Sequence, residues 1–293
     1  MKTSLRLAAL MLAACAAPTV HAECLTDPQV ADLFANLQSR TPAVTPEGLS
    51  DADAACTRAK LNVLLVKKHG KVVGYKAGLT NPAVQKRFNA SAPVWGVLYE
   101  GMLLSGTADK GAEVDSAFGA RPLFEADMLV RVRSDAINKA KTPDDVLDAI
   151  DQVIPFIELP DLVVQAPPKL NGAAIAAINV GARLGVVGKP IPVGPTPTER
   201  SAMFDALRDM TVTMADGAGA ELSRGKGSDI LDHPLNAVVW LAQALAKEGL
   251  AMKPGDLISL GSFSPLLPPK PGLKVTVTYG GLPNATPVSV TFK

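Results

Sequence analysis

Polar capping residues followed by periodic apolar positions predict two helices early in the chain. Asp27 and Pro28 open the first helix, which runs to about Arg40, because an acidic cap followed by proline favours a helix start. Ser50 and Asp53 have the spacing of a capping box and begin the second helix. Glycines then bound a run rich in β-branched residues, which predicts a strand over Val72–Gly78 that leads into a loop.

Strict alternation of polar and apolar residues predicts a strand over Leu123–Arg133 with one face in the core. Thr142 caps a helix that is expected to reach about Gln152, and the apolar run Val153–Leu159 follows it. A later helix starts at Asp232–Pro234 and ends near Gly249. The final strands are predicted over 257–262, 273–279 and 287–292.

These elements predict a helical N-terminal region over 23–110 and a β-rich domain over 111–293, after a separate leader over 1–22. The composition supports a folded core, because 47% of the residues are hydrophobic and only 19% are charged. The 24 prolines and 24 glycines favour many turns over a helical bundle. The net charge is +1, and no basic block is present, so we do not expect nucleic acid as a partner.

The first 22 residues resemble a secretory signal peptide. Lys2 and Arg6 precede a short apolar stretch, and Val20–Ala22 has the small-residue form of a cleavage site. The alternative is a lipid anchor at Cys15, since Leu12–Cys15 resembles a bacterial lipobox. Both interpretations place the protein outside the cytoplasm, in the periplasm or secreted, and no later stretch is long and apolar enough to predict a membrane span.

Two cysteines, Cys24 and Cys56, remain after cleavage at Ala22. In an oxidising compartment, an even pair favours a disulfide, here one that joins the N-terminal tail to the second helix. The alternative is a pair of buried thiols.

Three acidic residues are candidate metal ligands. Glu125 and Asp127 lie two positions apart on a predicted strand, so their side chains point to the same side. Glu158 is the only acid in the apolar run Val153–Leu159, where a charge is costly without a partner. Carboxylate oxygens suit Mg²⁺ or Mn²⁺. Spacing alone also allows an alternative, in which Glu125 and Asp127 have a structural role and Arg131 balances their charge.

Several motifs resemble those of the 2-keto-4-pentenoate (2-hydroxypentadienoate) hydratases and 4-oxalocrotonate decarboxylases, which belong to the fumarylacetoacetate-hydrolase-like superfamily. Their order along the chain, from about residue 60 onward, matches that family. The segments that carry the resemblance are Gly74–Thr80, Pro93–Leu98, Phe124–Asp127, Pro155–Glu158, Arg224–Ser228, His233–Ala237, Trp240–Ala242, Pro254–Asp256 and Leu260–Ser262.

The resemblance implies an α+β fold, a mixed β-roll with flanking helices and a smaller helical N-terminal part. It implies a divalent ion on Glu125, Asp127 and Glu158, and a small 2-oxo acid as ligand. It also implies a homo-oligomer. Lys76 is the implied catalytic group, and the implied substrate-binding residues are Leu79, Arg224 and Ser262.

Three positions depart from the family pattern. Val94, Ile178 and Leu260 stand where the family usually has polar residues, which predicts a drier pocket without the usual proton relay. Three functions therefore stay open on sequence grounds. They are a metal-dependent lyase, hydrolase or tautomerase, a non-catalytic pocket for a small carboxylic acid, and a structural relic with no ligand.

Overall fold

The structure is a computed structural model that describes residues 23–106 and 111–293. The predicted signal segment and Cys15 lie outside the described residues. Among those residues, no helix is both long and apolar enough to cross a bilayer. The α-helices of this part of the chain are α1 (Asp27–Ser39), α2 (Asp51–His69), α3 (Pro82–Arg87), α4 (Pro143–Ala149), α5 (Gly172–Ala177), α6 (Pro197–Asp209) and α7 (Asn236–Lys247).

Strands form two sheets in the described residues. They are β1 (Val72–Gly78), β2 (Val94–Tyr99), β3 (Leu103–Ser105), β4 (Ala112–Val114), β5 (Glu125–Val132), β6 (Ile150–Leu159), β7 (Leu184–Val187), β8 (Ile191–Pro192), β9 (Thr211–Asp216), β10 (Glu221–Lys226), β11 (Leu257–Ser259), β12 (Lys274–Gly280) and β13 (Val288–Phe292). The first sheet has the order β2-β1-β11-β5-β6-β7-β3, with β8 beside β6, and the second has the order β10-β9-β12-β13-β4.

The helix starts follow the predicted caps. The side chains of Thr26 and Ser50 accept hydrogen bonds from the third residues of α1 and α2, so both helices begin with a complete capping box. Helix α2 then buries one stripe, which includes Ala54, Arg58 and Leu61, at the spacing of a helix with one face in the core.

A disulfide joins Cys24 to Cys56 of α2, with the two Cα atoms 5.7 Å apart. This is the pair that the sequence predicted. It closes a segment of 32 residues and fixes the chain before α1 to the second helix. By limiting the conformations of the unfolded chain, such a bridge stabilises the folded N-terminal region.

Strand β5 is buried on both faces, and the prediction of a single core face is wrong. The strand lies in the middle of the first sheet between β11 and β6, the second sheet reaches it through Tyr279, and residues of both faces, such as Met128 and Leu129, are fully buried. Helix α4 also ends earlier than predicted, at Ala149, because Ile150–Gln152 already pair as the first residues of β6.

The division predicted near residue 110 does not separate the sheets. Strands β1, β2 and β3 come from the N-terminal part and lie in the same sheet as β5, β6, β7 and β11. The two sheets are also joined by Tyr279 of β12, whose hydroxyl donates to the carbonyl of Asp127 and accepts from the N–H of Phe156 at 3.1 Å. The candidate site lies at this central region of the first sheet.

Candidate active site

Lys76 lies in the interior of the first sheet. It is on β1, opposite Gly96 of β2 and beside Ser259 of β11, and it is only 3% exposed. Its ammonium donates to the Glu158 carboxylate, in a buried ion pair, and to the backbone carbonyl of Val180 at 2.9 Å. A lysine held this way has a fixed position, unlike an exposed lysine at a strand end.

The turn that presents the Val180 carbonyl is strained. Asn179 and Val180 have φ angles of 55° and 54°, and the left-handed region is unfavourable for a β-branched residue. The Asn179 amide holds the turn in place, because it accepts from the N–H of Val97 at 2.7 Å and donates to the carbonyl of Val97 at 3.0 Å. The turn is thereby tied to β2, next to the strand that carries Lys76.

Glu125 and Glu158 face each other across the ladder between β5 and β6, as directly paired residues. Both are buried, with 8% and 3% of their surface exposed. Burial raises the pKa of Glu125 well above its usual value, and repulsion from Glu158 adds to the effect, while Lys76 opposes it. The pair is therefore costly to ionise fully without additional positive charge.

Asp127 is completely buried and is held on the β11 side of β5. One carboxylate oxygen accepts from the N–H of Gly261 at 3.0 Å, and the other accepts from the Ser259 hydroxyl. Burial raises the pKa of Asp127 to about 8, with a further contribution from the charge of Glu158, although the Ser259 hydrogen bond lowers it.

The three acids occupy one buried region but do not form a closed ligand cluster. Across the part of the chain that the structure describes, no three His, Cys, Asp or Glu side chains are already gathered around one point as metal ligands. In this respect the structure differs from the predicted arrangement. Glu158 pairs with Lys76, and the hydrogen bonds of Asp127 turn its carboxylate toward Ser259 and Gly261.

The donor chemistry of this region fits a hard dication. Glu125, Asp127 and Glu158 supply carboxylate oxygens, the atoms that Mg²⁺ and Mn²⁺ prefer. With all three ionised, Lys76 balances only one of their charges, so two negative charges would remain in a region closed to solvent. A buried charge needs a partner of the opposite sign, and a divalent cation supplies the missing charge.

A cavity of about 140 Å³ opens onto Lys76 and Glu125. Leu79 and Ser262, both predicted to bind substrate, lie in its wall. Asp127 and Glu158 do not line it, because they lie behind Gly261 and Lys76. Most of the remaining wall is apolar and includes Val84, Phe88, Leu162, Ile175, Val180, Pro265 and Leu266.

Arg224 does not line this cavity. The structure therefore corrects the prediction that Arg224 binds substrate at the pocket. It lies on β10 of the second sheet, exposed, where its guanidinium pairs with Glu221 three residues earlier. Both are surface side chains on the same strand, so the local ion pair accounts for the arginine without a ligand.

The aliphatic residues at the three unusual positions also lie outside the cavity wall. Ile178 and Leu260 are buried in the core, and Val94 contributes to a separate cavity. The structure therefore does not support the prediction that these three side chains make the pocket drier. The apolar character of the wall comes instead from α3, the loop after β6, and the segment that follows Ser264.

A larger cavity of about 480 Å³ lies beside α2 and α5 and contains none of the predicted site residues. Arg58 forms part of its wall, stacked 3.5 Å above the ring of Trp95 and paired with Glu248 at 2.6 Å. This buried cluster joins α2 to the end of α7. The cavity at Lys76 is the better candidate site, because its wall contains Glu125, a carboxylate whose pKa is raised by burial, beside a buried lysine.

Sequence reasoning missed Thr80 and Ser259. Thr80 follows Leu79 directly in the lysine motif and lies in the wall of the same cavity. Ser259 is the register partner of Lys76, a neighbour that only the pairing of β1 with β11 establishes. Adjacency to the motif was the one signal available for Thr80, and no local pattern marked Ser259.

Comparisons with known proteins agree with this fold. No family model matches the chain. The 4-oxalocrotonate decarboxylase of Pseudomonas putida G7, solved with magnesium and adipate, superposes with a TM-score of 0.77 at 26% identity, over 92% of this chain and all of that one. The fumarylpyruvate hydrolase of Pseudomonas aeruginosa, solved with Mn²⁺ and pyruvate, has a TM-score of 0.55 at 12% identity over 74% of this chain and 88% of its own, which shows the fold alone.

The chain therefore has the fumarylacetoacetate-hydrolase-like fold. Curated relatives place it more narrowly. The 2-keto-4-pentenoate hydratase 1 of Dechloromonas aromatica is 27% identical over 240 residues, or 81% of this chain and 86% of that protein. The TodF product hydratase of Pseudomonas putida F1 is 29% identical over 263 residues, or 88% and 93%. Among proteins of this fold, the chain is similar to 2-keto-4-pentenoate hydratases and 4-oxalocrotonate decarboxylases, as its motifs predict.

Proposed function

We propose that this protein is a divalent-metal-dependent lyase of the hydratase type that acts on a small 2-oxo or 2-hydroxy-dienoic acid. The observation that carries the proposal is the buried Lys76–Glu158 ion pair, with Glu125 beside it, at the wall of a narrow and mostly apolar cavity. The relatives that are named hydratases, and the related decarboxylase solved with magnesium, support the same activity.

Glu125, Asp127 and Glu158 are the residues that would hold the ion. When bound, the ion supplies a Lewis acid that favours negative charge on the substrate's C2 oxygen. The apolar wall then packs against the hydrocarbon part of the dienoic acid. Since the cavity is narrow, this packing restricts the orientation of the ligand relative to Lys76.

Lys76 suits a role in charge stabilisation and proton movement. Its Nζ is fixed by the Val180 carbonyl and by Glu158, so its remaining hydrogen can point to one place in the cavity. Hydration adds a proton to one alkene carbon and a hydroxide, derived from water, to the other. An ammonium beside the substrate stabilises the enolate that forms on the way and can exchange a proton with it.

Turnover of 2-hydroxypenta-2,4-dienoate by the purified protein tests this proposal. Loss of the conjugated chromophore is followed by absorbance, first after chelation and then with Mg²⁺ or Mn²⁺ restored. We expect hydration only with the ion present. Binding of the acid without turnover at any metal concentration would instead identify a ligand-binding protein that lacks hydratase activity.

We further propose that the protein is exported and that residues 1–22 are removed. The Cys24–Cys56 disulfide supports this, because such bridges persist in oxidising compartments such as the periplasm. Mass spectrometry of the protein from its natural host tests the proposal. A mature chain that begins at Glu23 supports cleavage at Ala22, a lipid adduct on Cys15 supports the anchor, and an intact N-terminus contradicts both.

The family resemblance also favours a homo-oligomer, which we propose together with the small 2-oxo acid as partner. Light scattering during size-exclusion chromatography measures this directly. A mass equal to that of a single chain at working concentrations would contradict self-association.

A further inference from the structure

Thr80 is a buried polar residue in the cavity wall that the proposed chemistry does not yet use. It is 2% exposed, and its hydroxyl oxygen has no hydrogen-bond partner among the described residues. A buried hydroxyl without a partner is unfavourable, because it has given up its hydrogen bonds to water. Such a group is rare in a folded protein and needs a specific explanation.

The backbone before Thr80 is also unusual. Leu79 has a φ of 55°, in the left-handed region that side chains other than glycine, asparagine and aspartate seldom adopt. This turn ends β1 and leads the chain along the cavity. A side-chain amide supports the conformation, since Gln85 of α3 donates to the carbonyl of Leu79 at 2.8 Å.

Gly261 lies between Thr80 and the acidic region. Its N–H donates to Asp127 at 3.0 Å, and its Cα lies against the Thr80 side chain. With a φ of 104°, Gly261 has a conformation that favours glycine, and an added β-carbon would collide with the Thr80 hydroxyl. The Thr80 hydroxyl is thus packed against Gly261, the residue whose N–H binds Asp127.

We propose that Thr80 binds the ligand directly and that its hydroxyl donates a hydrogen bond to an oxygen of the bound 2-oxo acid. This inference rests on the proposed function, because it takes the 2-oxo acid as the ligand. Within the cavity, the Thr80 hydroxyl is a neutral donor with no partner in the protein, whereas the hydroxyl of Ser262 already donates to the carbonyl of Ser264. A neutral donor can bind an anionic oxygen there without adding charge.

Two variants of Thr80 separate a ligand-binding role from a structural one. Thr80→Val keeps the shape of the side chain and removes the hydroxyl, whereas Thr80→Ser keeps the hydroxyl. Binding of 2-oxopentanoate to the full mature chain with saturating Mg²⁺ is measured by calorimetric titration. We expect Thr80→Val to weaken binding roughly tenfold to a hundredfold, the effect of losing a hydrogen bond to a charged group, and Thr80→Ser to bind within about threefold of the original protein.

The melting temperature without ligand provides the second readout. Because the Thr80 hydroxyl has no partner in the protein, Thr80→Val should leave the melting temperature unchanged or raise it. Thr57 is the matched control, since its buried hydroxyl accepts from the N–H of Leu25 at 3.0 Å. Thr57→Val should lower the melting temperature and leave ligand binding unchanged.

The outcomes distinguish this inference from the proposed function. If the original protein does not bind 2-oxopentanoate with Mg²⁺, the proposed ligand class is wrong, and this inference is overturned with it. If the original protein binds and Thr80→Val binds equally well, the inference alone is overturned. A Thr80→Val protein with a lowered melting temperature, or a Thr80→Ser protein that binds as weakly as Thr80→Val, also overturns it.

Discussion

The ammonium of Lys76 and the carboxylate of Glu158 form a fully buried ion pair between residues 82 positions apart in the sequence. The two residues lie on β1 and β6, with β11 and β5 between those strands in the sheet. Both side chains are long and buried, so they meet although two strands separate their backbones. This contact makes Lys76 a component of the acidic site.

Replacing Lys76 with methionine should lower turnover of the dienoic acid by roughly a hundredfold or more, the usual contribution of a positioned acid or base. Lys76→Arg should not restore it, since a guanidinium is larger and does not give up its proton. The rate is measured by loss of the substrate chromophore. Lys71→Met is the control, because Lys71 is an exposed lysine whose salt bridge is with Glu100 at the surface. If Lys76→Met turned over substrate as fast as Lys71→Met, the role assigned to Lys76 would be wrong.

Glu125→Ala and Glu158→Ala should each abolish binding of Mg²⁺ or Mn²⁺ without unfolding the protein. Each removes one carboxylate from the buried donor set, and affinity for a hard dication depends on the number of charged oxygen ligands. Calorimetric titration of the chelated protein measures the loss, and circular dichroism checks the fold.

Glu113→Ala serves as the control for these two variants, since Glu113 is an exposed acid that pairs with Lys293. It should keep the metal affinity of the original protein. Full metal occupancy in either Glu125→Ala or Glu158→Ala would show that the ion binds elsewhere.

The stability of the metal-stripped protein should fall as the pH rises from about 4 to about 8. An unfolded aspartate has a pKa of about 3.9, whereas burial raises the pKa of Asp127 to about 8. Between these two pKa values the folded state holds a proton on Asp127 that the unfolded state has released. The stabilisation from this proton is complete below about pH 3.9 and is lost as the pH rises through about 8. Thermal unfolding in a chelating buffer measures the trend.

Asp127→Asn should flatten this pH dependence, because the amide does not titrate. Glu125, whose pKa is raised in the same direction, would retain part of the slope. Saturating Mg²⁺ should have a similar flattening effect, since it favours the ionised carboxylates. Stability that rises steadily from pH 4 to 8 without metal would contradict the raised pKa values.

Arg87 should favour ligands that carry a second carboxylate. It lies on α3 in the wall of the cavity and is exposed, and together with Phe88 and Leu162 it also lines a second cavity. Its guanidinium packs 5.6 Å from the centre of the Phe88 ring, so its charge lies near the apolar wall.

The test compares adipate with hexanoate, which has the same chain length and a single carboxylate. In the original protein with Mg²⁺, we expect adipate to bind more tightly, by roughly threefold to tenfold for an exposed charge-assisted contact. Arg87→Gln should remove this preference and leave hexanoate unchanged. Lys86→Gln, the adjacent exposed position outside both walls, should leave the preference intact.

Glu248→Ala should destabilise the fold by about 3 kcal/mol, because it leaves the buried Arg58 guanidinium without its carboxylate. The same change removes the acceptor of the Trp95 indole N–H, at 3.1 Å. Urea unfolding at neutral pH measures the difference. The control is Glu47→Ala, which breaks an exposed pair with Lys169 and should change the free energy of unfolding by less than about 1 kcal/mol. If the two variants changed the free energy of unfolding equally, the Arg58 cluster would not be structural.

The sequence by itself determined the features that depend on neighbours along the chain. The caps at Ser50 and Thr142, the alternation through β5, and the shared side of Glu125 and Asp127 all follow from spacing within one element. The motifs around Lys76 and His233 were enough to predict the similarity to 2-keto-4-pentenoate hydratases that the comparisons found. The predicted end of α4 was wrong, because the residues after Ala149 pair in the following strand instead of continuing the helix.

Tertiary structure alone decided which of these residues meet. The pairing of Lys76 with Glu158, the hydrogen bonds from Ser259 and Gly261 to Asp127, and the isolated hydroxyl of Thr80 all depend on the order of strands in the sheet. Arg224 is a further example. The segment around it matched a family motif, but its strand, β10, belongs to the second sheet and not to the sheet that carries Lys76. Spacing specifies the direction of a side chain on its own element, but contacts between distant segments follow from how the whole core packs.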